Sequence, residues 1–314
     1  MQTLETVAVL LGLFYLLGQS ADLIIVNIRK LSVRLGIGVF FLGLILGFLT
    51  SLPEMAIGFN AIANNLQEVA FGNLLGGIVV LFGLILGLSI VLNRGIDTDG
   101  KLGKLWAVFG FLFLPLVLAL DGNISLLEGG ALVILYFGLL RYLFIKNKDF
   151  TGEVAEVRVS EEQLLKQLFY IMFGIVLVVL FSNAIIRTTT VLLSRFEIPE
   201  FILGLLLFSL GTNLPEIIVA IRSWKRQIRD LAMSNLIGSA MGNVLLIGIF
   251  SLIKTTQVEI RLAYFTLMVF VAVLFIMFWS FNKSEKRFSK KEGYALISLY
   301  TAFILTQVLF QIVS

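Results

Sequence analysis

The chain has 314 residues, of which 59% are hydrophobic and only 14% are charged, and its formal net charge is +4. Water-soluble domains average roughly 45–50% apolar and about 25% charged residues, so the composition excludes a soluble globular protein and indicates an integral membrane protein. The sequence has no Cys and no His, which excludes disulfides, thiolate chemistry, haem ligation, histidine proton relays and the usual zinc sites.

Apolar stretches long enough to cross a bilayer recur along the chain, separated by charged or polar breaks. We number them spans 1 to 10. In chain order the predicted spans are 6–26, 35–63, 69–92, 105–120, 126–144, 168–186, 201–221, 231–253, 262–281 and 294–313. The connections between them are too short for a sizeable extramembrane domain, so any chemistry must lie inside the membrane.

The basic residues predict how the spans cross the membrane. Of the 24 Lys and Arg, 20 follow odd-numbered spans and 4 follow even-numbered spans. By the positive-inside rule, the odd connections are cytoplasmic and both termini are extracellular. Because each half of the chain has five spans, the two halves have opposite orientations.

The second half of the chain repeats motifs of the first. A shift of 162 positions gives 8 identities in the 28 positions from Thr50 to Gly77, and it aligns TSLPE at 50–54 with TNLPE at 212–216. Chance similarity between apolar helices would match Leu and Ile rather than Pro and Glu, so we infer a duplication. We predict a first five-helix repeat over 1–145, a cytoplasmic linker over 146–166 and a second, inverted five-helix repeat over 167–314.

Pro53 and Pro215 lie near the middle of spans 2 and 7. A proline removes a hydrogen-bond donor and clashes with the preceding turn, so each span is predicted to break just before its proline and to restart as a second half-helix. Irregular backbone at this depth is tolerated only where it is buried or lines a cavity.

Glu54 and Glu216 are the only acidic residues well inside a predicted span, and no basic residue stands in a span interior to pair with them. A carboxylate in the bilayer interior costs about 2.5–3.5 kcal/mol or more. A bound cation would offset this cost, and carboxylates with hydroxyl and carbonyl oxygens suit calcium or sodium. The alternative is that both carboxyl groups are protonated and hydrogen-bonded to neighbouring helices.

The Thr-Ser-Leu-Pro-Glu helix followed by a Gly-Asn-x-x-Gly helix, repeated in inverted orientation, resembles the sodium/calcium exchangers of the cation/calcium antiporter superfamily. The alpha repeats of that family correspond here to about 36–88 and 199–250. The resemblance implies an all-α membrane fold of ten transmembrane helices in two inverted repeats, broken at Pro53 and Pro215.

The resemblance also implies a central ion site. Its main ligands would be Glu54 and Glu216, with further oxygens from side chains or carbonyls of the two motifs. The implied metal ligands are Glu54, Glu216, Thr50, Ser51, Thr212, Asn213, Ser239 and Asn243.

The first repeat departs from the family pattern. Gly77 and Leu81 stand where Ser239 and Asn243 stand in the second repeat, and neither has a side-chain oxygen. This leaves the sodium sites and the coupling ratio open. The paired Asn73 and Asn235 have two possible roles. Their amides could face the ion pathway, but the favoured interpretation is that they form hydrogen bonds between helices.

The predicted function is secondary antiport, most simply Na+/Ca2+ exchange by alternating access, in the cell membrane. A proton- or potassium-coupled exchanger of Ca2+ or another divalent cation, and a non-transporting homologue with a degenerate site, are the alternatives. A channel would need a continuous pore, and an enzyme would need catalytic groups that the spans lack. Beyond the transported Ca2+ and Na+ (or H+) and the lipid bilayer, we expect no cofactor, nucleic acid or obligate protein partner.

Overall fold

The computed structural model describes residues 2–35, 39–97, 106–146, 161–193, 203–225, 229–284 and 287–313. All ten predicted spans contain helix, which confirms the all-α membrane fold class. The helical segments are Gln2–Leu35 (span 1), Val39–Thr50 and Leu52–Ala63 (span 2), Gln67–Val79, the π-helix Val80–Ile85 and Leu86–Leu92 (span 3), Trp106–Leu118 and the 3-10 turn Ala119–Asp121 (span 4), Leu126–Lys146 (span 5), Glu161–Leu193 (span 6), the π-helix Leu203–Phe208, Ser209–Thr212 and Leu214–Lys225 (span 7), Arg229–Ile253 (span 8), Leu262–Ser284 (span 9) and Lys290–Val313 (span 10).

Seven of the described helices are long and apolar enough to cross a membrane, and spans 1 and 4 contribute shorter apolar helices. Burial separates two classes of span. The most apolar 18-residue segments of spans 3 and 8 are 83% buried, whereas those of spans 5, 6, 9 and 10 are only 22–33% buried. Spans 3 and 8 are therefore surrounded by protein, and the other four present apolar side chains outward, as helices facing lipid do.

Some predicted segments fall outside the described residues. The predicted linker 146–166 lies largely outside them, because 147–160 are not described. The same holds for the first residues of the two predicted repeat motifs, at Gly36 and Pro199.

Spans 2 and 7 break at matching positions, as predicted. The first half of span 2 ends at Thr50 and its second half begins at Leu52, and the corresponding halves of span 7 end at Thr212 and begin at Leu214. Each proline thus takes the second position of a new helix, where its missing N–H removes no intrahelical hydrogen bond.

Spans 5 and 10 begin with the same capping arrangement. The backbone N–H groups of Ser125 and Ser289 donate to the carboxylates of Glu128 and Glu292, and the serine hydroxyls accept from the backbone of these glutamates. Such reciprocal bonds satisfy two of the four donors that a helix start leaves open. The carboxylates of both glutamates therefore stabilise the starts of their own helices.

Two short antiparallel ladders join the connections between spans. Strand β1 (Ile96–Asp97), after span 3, pairs with β4 (Arg287–Phe288), after span 9; β2 (Asn123–Ile124), after span 4, pairs with β3 (Thr256–Gln257), after span 8. The duplication relates span 3 to span 8 and span 4 to span 9. Strand β1 therefore corresponds to β3 and strand β2 to β4, so each ladder is the counterpart of the other. Each ladder also joins connections that the charge pattern places on the same side of the membrane.

The chain forms two compact units. The first comprises Met1–Pro53, Arg141–Glu197 and Gly211–Ser239. Its core is an apolar cluster in which spans 1 and 6 pack along each other, joined by side chains of spans 2, 7 and 8. Gly174 permits this contact, because a Cβ there would stand 2.6 Å from the Ile24 side chain.

The second unit comprises Glu54–Leu140, Ile198–Leu210 and Ala240–Ser314. Four phenylalanines from spans 3, 4 and 9 form its aromatic centre, with ring centroids 4.8 to 5.9 Å apart. They are Phe82, Phe109, Phe275 and Phe278. Edge-to-face and tilted pairs of this kind add about 0.5–1.5 kcal/mol each beyond their buried area.

One ion pair in the first unit joins spans 1 and 7. Arg222 Nη1 lies 3.3 Å from Asp22 Oδ2, and Nη2 lies beside Gly18, where a Cβ would stand 3.0 Å away. Gly18 precedes Asp22 by one helical turn, so the two residues form one receiving surface for the guanidinium. The side chains are 35% and 18% exposed, which limits the strength of the pair.

We expect Asp22→Asn and Arg222→Gln each to lower the stability of the protein by about 1 kcal/mol or less, with a smaller loss in the double variant than the sum of the two. Thermal unfolding in detergent measures this. Glu259→Gln, which removes the partner of the exposed Arg261, is the control and should have no measurable effect. Strictly additive losses at positions 22 and 222 would show that the pair contributes nothing.

Candidate functional site

The break in span 2 is surrounded by hydroxyl groups that converge on one carbonyl oxygen. The Thr50 and Ser51 hydroxyls, both buried, donate to the Gly47 carbonyl at 3.1 and 3.0 Å. Such bonds to the preceding turn are typical of Ser and Thr where a helix bends or ends. A third hydroxyl, that of Ser239 on span 8, also donates to the Gly47 carbonyl, at 3.0 Å.

The same Ser239 hydroxyl lies 3.1 Å from Oε1 of Glu216. Glu216 is completely buried, in the first turn of Leu214–Lys225, and the Thr50 hydroxyl is also within hydrogen-bonding reach of its carboxylate. We name the side chains of Thr50, Ser51, Glu216 and Ser239, with the Gly47 carbonyl, the Glu216 oxygen cluster. All five residues belong to the first unit.

This cluster has more acceptors than donors. The three hydroxyls can donate one proton each, whereas the Gly47 carbonyl and the Glu216 carboxylate together offer about six lone pairs. Oε2 of Glu216 is buried without a hydrogen-bond partner among the described residues. Within the same part of the chain no Lys or Arg is buried. A hard cation would satisfy such a cluster, because hydroxyl protons can turn away and leave only oxygen lone pairs facing the ion.

The helix start contributes to the electrostatics of both carboxylates. Glu54 and Glu216 each lie in the first turn of the half-helix that follows a break. The N-terminal end of a helix dipole favours a negative charge, by about 0.3–1 kcal/mol at exposed sites and up to about 2 kcal/mol in partly buried ones. The breaks therefore stabilise each carboxylate as an anion.

Thr212 and Asn213 stand at the break of span 7, and both are buried. The Asn213 carbonyl accepts from the backbone of Ile217 at 3.0 Å, so the helix that carries Glu216 is hydrogen-bonded from its first turn. Both residues therefore lie immediately before the half-helix that carries Glu216.

Two of the expected ligands belong to the second unit. Glu54 is 1% exposed. The Asn243 amide of span 8 donates from Nδ2 to the Leu74 carbonyl of span 3 at 3.0 Å, and its Oδ1 is buried with no hydrogen-bond partner in the described part of the chain. The bond to Leu74 fixes which end of the amide is the free oxygen.

The two repeats are unequal at these positions. Gly77 and Leu81, the counterparts of Ser239 and Asn243, are buried and have no side-chain oxygen. Leu81 also lies within the π-helix of span 3, whereas span 8 is α-helical throughout. A hydroxyl with the role of Ser239 is therefore available in the second repeat and absent from the first.

Other features of the site were not singled out from the sequence. Ser209, which the shift of 162 positions aligns with Gly47, is buried and donates to the Leu205 carbonyl within the π-helical turn of span 7. The Leu74 carbonyl could not be inferred, since any backbone position can accept. The favoured interpretation of Asn235 is a hydrogen bond between helices. Neither of its side-chain amide atoms has a hydrogen-bond partner among the described residues, contrary to that interpretation.

The described residues contain no group of three or more His, Cys, Asp or Glu side chains that could hold a metal ion. A cation held by the described residues would therefore take part of its coordination from hydroxyl, amide and carbonyl oxygens. Such a mixed ligand set holds fewer negative charges than a carboxylate-rich calcium site, which favours exchange over tight retention.

Comparison with known proteins agrees with these features. Residues 5–145 and 166–309 match the family model described as sodium/calcium exchanger protein. The sodium/calcium exchanger MaX1 of Methanosarcina acetivorans is 25% identical, over 99% of this chain and 100% of that protein. The inner membrane protein YrbG of Escherichia coli is 26% identical, over 87% and 88%.

A solved structure has the same fold. The sodium-calcium exchanger NCX_Mj, soaked with 10 mM Na+ and 10 mM Sr2+, superposes with a TM-score of 0.79 at 23% identity, covering 96% of this chain and 97% of that chain.

Proposed function

Because the chain belongs to the sodium/calcium exchanger family, we propose that it exchanges Na+ for Ca2+ across a membrane by alternating access. It is a transporter and not an enzyme. The observation that carries the proposal is the Glu216 oxygen cluster: a buried carboxylate, with one oxygen lacking a partner among the described residues, among three hydroxyls and a carbonyl.

The ligands in this proposal are the two carboxylates of Glu54 and Glu216, assisted by neutral oxygens. The neutral oxygens come from Thr50, Ser51, Thr212, Asn213, Ser239 and Asn243. Carboxylate, hydroxyl and amide oxygens are the ligands that both Ca2+ and Na+ prefer, so the two ions compete for the same groups. This competition supports exchange.

Charge explains why the proposed transport is coupled rather than a leak. A buried carboxylate without a cation is strongly disfavoured in a low-dielectric interior. The empty protein therefore does not change the side to which its site is open, whereas the neutralised protein does. Each outward movement of one ion requires a return with another.

The same proposal places the chain in the cell membrane, with both termini outside and the odd-numbered connections in the cytoplasm. Its functional halves are the repeats 1–145 and 167–314, joined by the linker 146–166. The excess of basic residues after odd-numbered spans supports this orientation. The two β-ladders support it too, since each joins connections of one predicted side.

Calcium uptake into proteoliposomes tests the function. Vesicles containing the full chain are loaded with Na+, diluted into Na+-free medium with radiolabelled Ca2+, and compared with vesicles that have an outward K+ or H+ gradient. We expect uptake driven by the Na+ gradient alone, and none above background in protein-free vesicles. Uptake that is indifferent to all three gradients would contradict coupled exchange.

A further inference from the structure

The side-chain amide of Asn235, on span 8, is buried without a hydrogen-bond partner. The residue is completely buried, and neither Oδ1 nor Nδ2 has a partner among the described residues. An amide that loses its bonds to water and gains none in the protein destabilises the fold, and an apolar side chain of similar size would cost less. Asn235 therefore needs a partner from outside the chain, one that can bind both an oxygen and an N–H group.

Asn235 lies on the face of span 8 that carries Ser239. The two residues are one helical turn apart, so their Cβ atoms are about 5–6 Å from each other. The Ser239 hydroxyl lies 3.1 Å from Oε1 of Glu216. The Asn235 carbonyl faces Gly47 of span 2, where a Cβ would also stand 2.5 Å from the backbone nitrogen of Ser239. Asn235 therefore adjoins the Glu216 oxygen cluster, and all of these residues belong to the first unit.

Asn235 lies between Ser239 and the end of span 8 that faces the cytoplasm in the proposed orientation. Span 8 begins at Arg229 and rises about 1.5 Å per residue, so Asn235 stands about 9 Å and Ser239 about 15 Å from its start. A cation that enters along span 8 from this end passes Asn235 first and reaches the Glu216 oxygen cluster one helical turn later.

The neighbouring Ser234 shows how the protein itself satisfies a polar group at this depth. Ser234 is also completely buried, and its hydroxyl donates to the Leu231 carbonyl at 3.3 Å. A Cβ at Gly43 of span 2 would collide with that hydroxyl, so span 2 covers this side of the helix. Ser234 thus has a packing role, which the unpaired amide of Asn235 does not share.

We propose that Asn235 lines the route by which hydrated cations reach the Glu216 oxygen cluster from the cytoplasm. The proposal rests on the cation exchange and the orientation proposed above. Oδ1 can bind an arriving cation or accept a hydrogen bond from its water, and Nδ2 can donate to a second water, so the amide replaces part of the hydration shell that the ion sheds. Because the amide is neutral, it does not hold the ion back from the carboxylate of Glu216.

The sequence contains no Cys, so a single introduced thiol reports its own accessibility. Asn235→Cys is compared with Ser234→Cys, at an equally buried neighbour, in inside-out and in right-side-out membrane vesicles with Na+ and Ca2+ on both sides. The probe is a positively charged, membrane-impermeant methanethiosulfonate, and mass spectrometry measures the modified fraction. We expect position 235 to react at least about tenfold faster than position 234 in inside-out vesicles, with no such difference in right-side-out vesicles.

Equal reaction at positions 234 and 235 in inside-out vesicles would overturn the inference, and so would faster reaction at position 235 from the opposite side. The measurement requires no transport, so it tests the route separately from the proposed function. Loss of Na+-driven Ca2+ uptake in the unmodified chain would instead contradict the exchange, whatever the reactivity of the two thiols.

Asn235→Leu separates a role in the route from a role in packing. Leu has a similar size and no polar atom, so we expect a melting temperature that is unchanged or higher, because two unpaired polar atoms are removed. We also expect the KM for Ca2+ to rise about tenfold in Na+-loaded inside-out vesicles and less than about twofold in right-side-out vesicles, since only one side loses a polar contact with the arriving ion. A KM that is unchanged, or changed equally from both sides, would overturn the inference.

Discussion

Replacing Glu216 by Gln is expected to lower sodium-driven calcium uptake by at least about a hundredfold. The substitution keeps the size of the side chain but removes its charge, so a divalent cation would enter a buried interior with half of its charge uncompensated. Removing one partner of a buried charge pair costs about 3–5 kcal/mol, which corresponds to a loss of at least about a hundredfold. The initial rate of uptake into proteoliposomes, at matched protein content, measures it.

Glu54→Gln should have the same effect, since Glu54 is equally buried and also lies in the first turn of a half-helix. Glu292→Gln is the control: it makes the same chemical change at the start of span 10, where Gln supports the same capping arrangement with Ser289. Uptake by Glu216→Gln within twofold of this control would remove Glu216 from the binding site.

Much of the architecture could be predicted because membrane segments obey simple rules. Hydrophobic length located ten spans, and the prolines located the breaks to within two residues, with helices ending at Thr50 and Thr212. These features depend on the local chain: a bilayer requires long apolar helices, and a proline interrupts a helix wherever it occurs. The duplication added information by showing that both breaks are followed by Glu.

The π-helices were not predictable. The segments Val80–Ile85 and Leu203–Phe208 lie in different spans of the two repeats, and their counterparts in spans 8 and 2 are α-helical. A shift of hydrogen-bond register by one residue depends on what the helix packs against, and hydropathy has no signal for it. One consequence is that the repeats are symmetric in sequence motif but not in backbone.

The site was predictable in part. The carboxylates and hydroxyls stood out because polar groups are rare in spans, but the Gly47 carbonyl as the common acceptor of three hydroxyls follows only from the structure. The same holds for the Leu74 carbonyl that orients Asn243. Backbone groups are identical at every position, so their selection requires knowledge of which helices approach each other most closely.

Spans 2 and 8 approach each other most closely at Gly47 and Gly238. We expect Gly238→Ala and Gly47→Ala each to lower the melting temperature by about 5–10 °C. A Cβ at Gly238 would collide with the Leu44 carbonyl and stand 2.8 Å from the Leu44 Cα; a Cβ at Gly47 would collide with the Asn235 carbonyl and stand 2.8 Å from the backbone of Gly238. Backbone atoms cannot rotate away as a flexible side chain does. Overpacking therefore costs about 1–3 kcal/mol, or several degrees in a protein of this size.

Gly138→Ala in span 5 is the matched control, because a Cβ there has no atom within 4 Å. An Ala at an open helical position stabilises by about 0.5–1 kcal/mol relative to Gly, so its melting temperature should stay unchanged or rise. Thermal unfolding in detergent, followed by size-exclusion chromatography of the heated samples, compares the three variants. Equal melting temperatures for Gly238→Ala and Gly138→Ala would mean that spans 2 and 8 are not in backbone contact. Since Gly47 and Ser239 belong to this same contact, the Glu216 oxygen cluster would then need a different geometry.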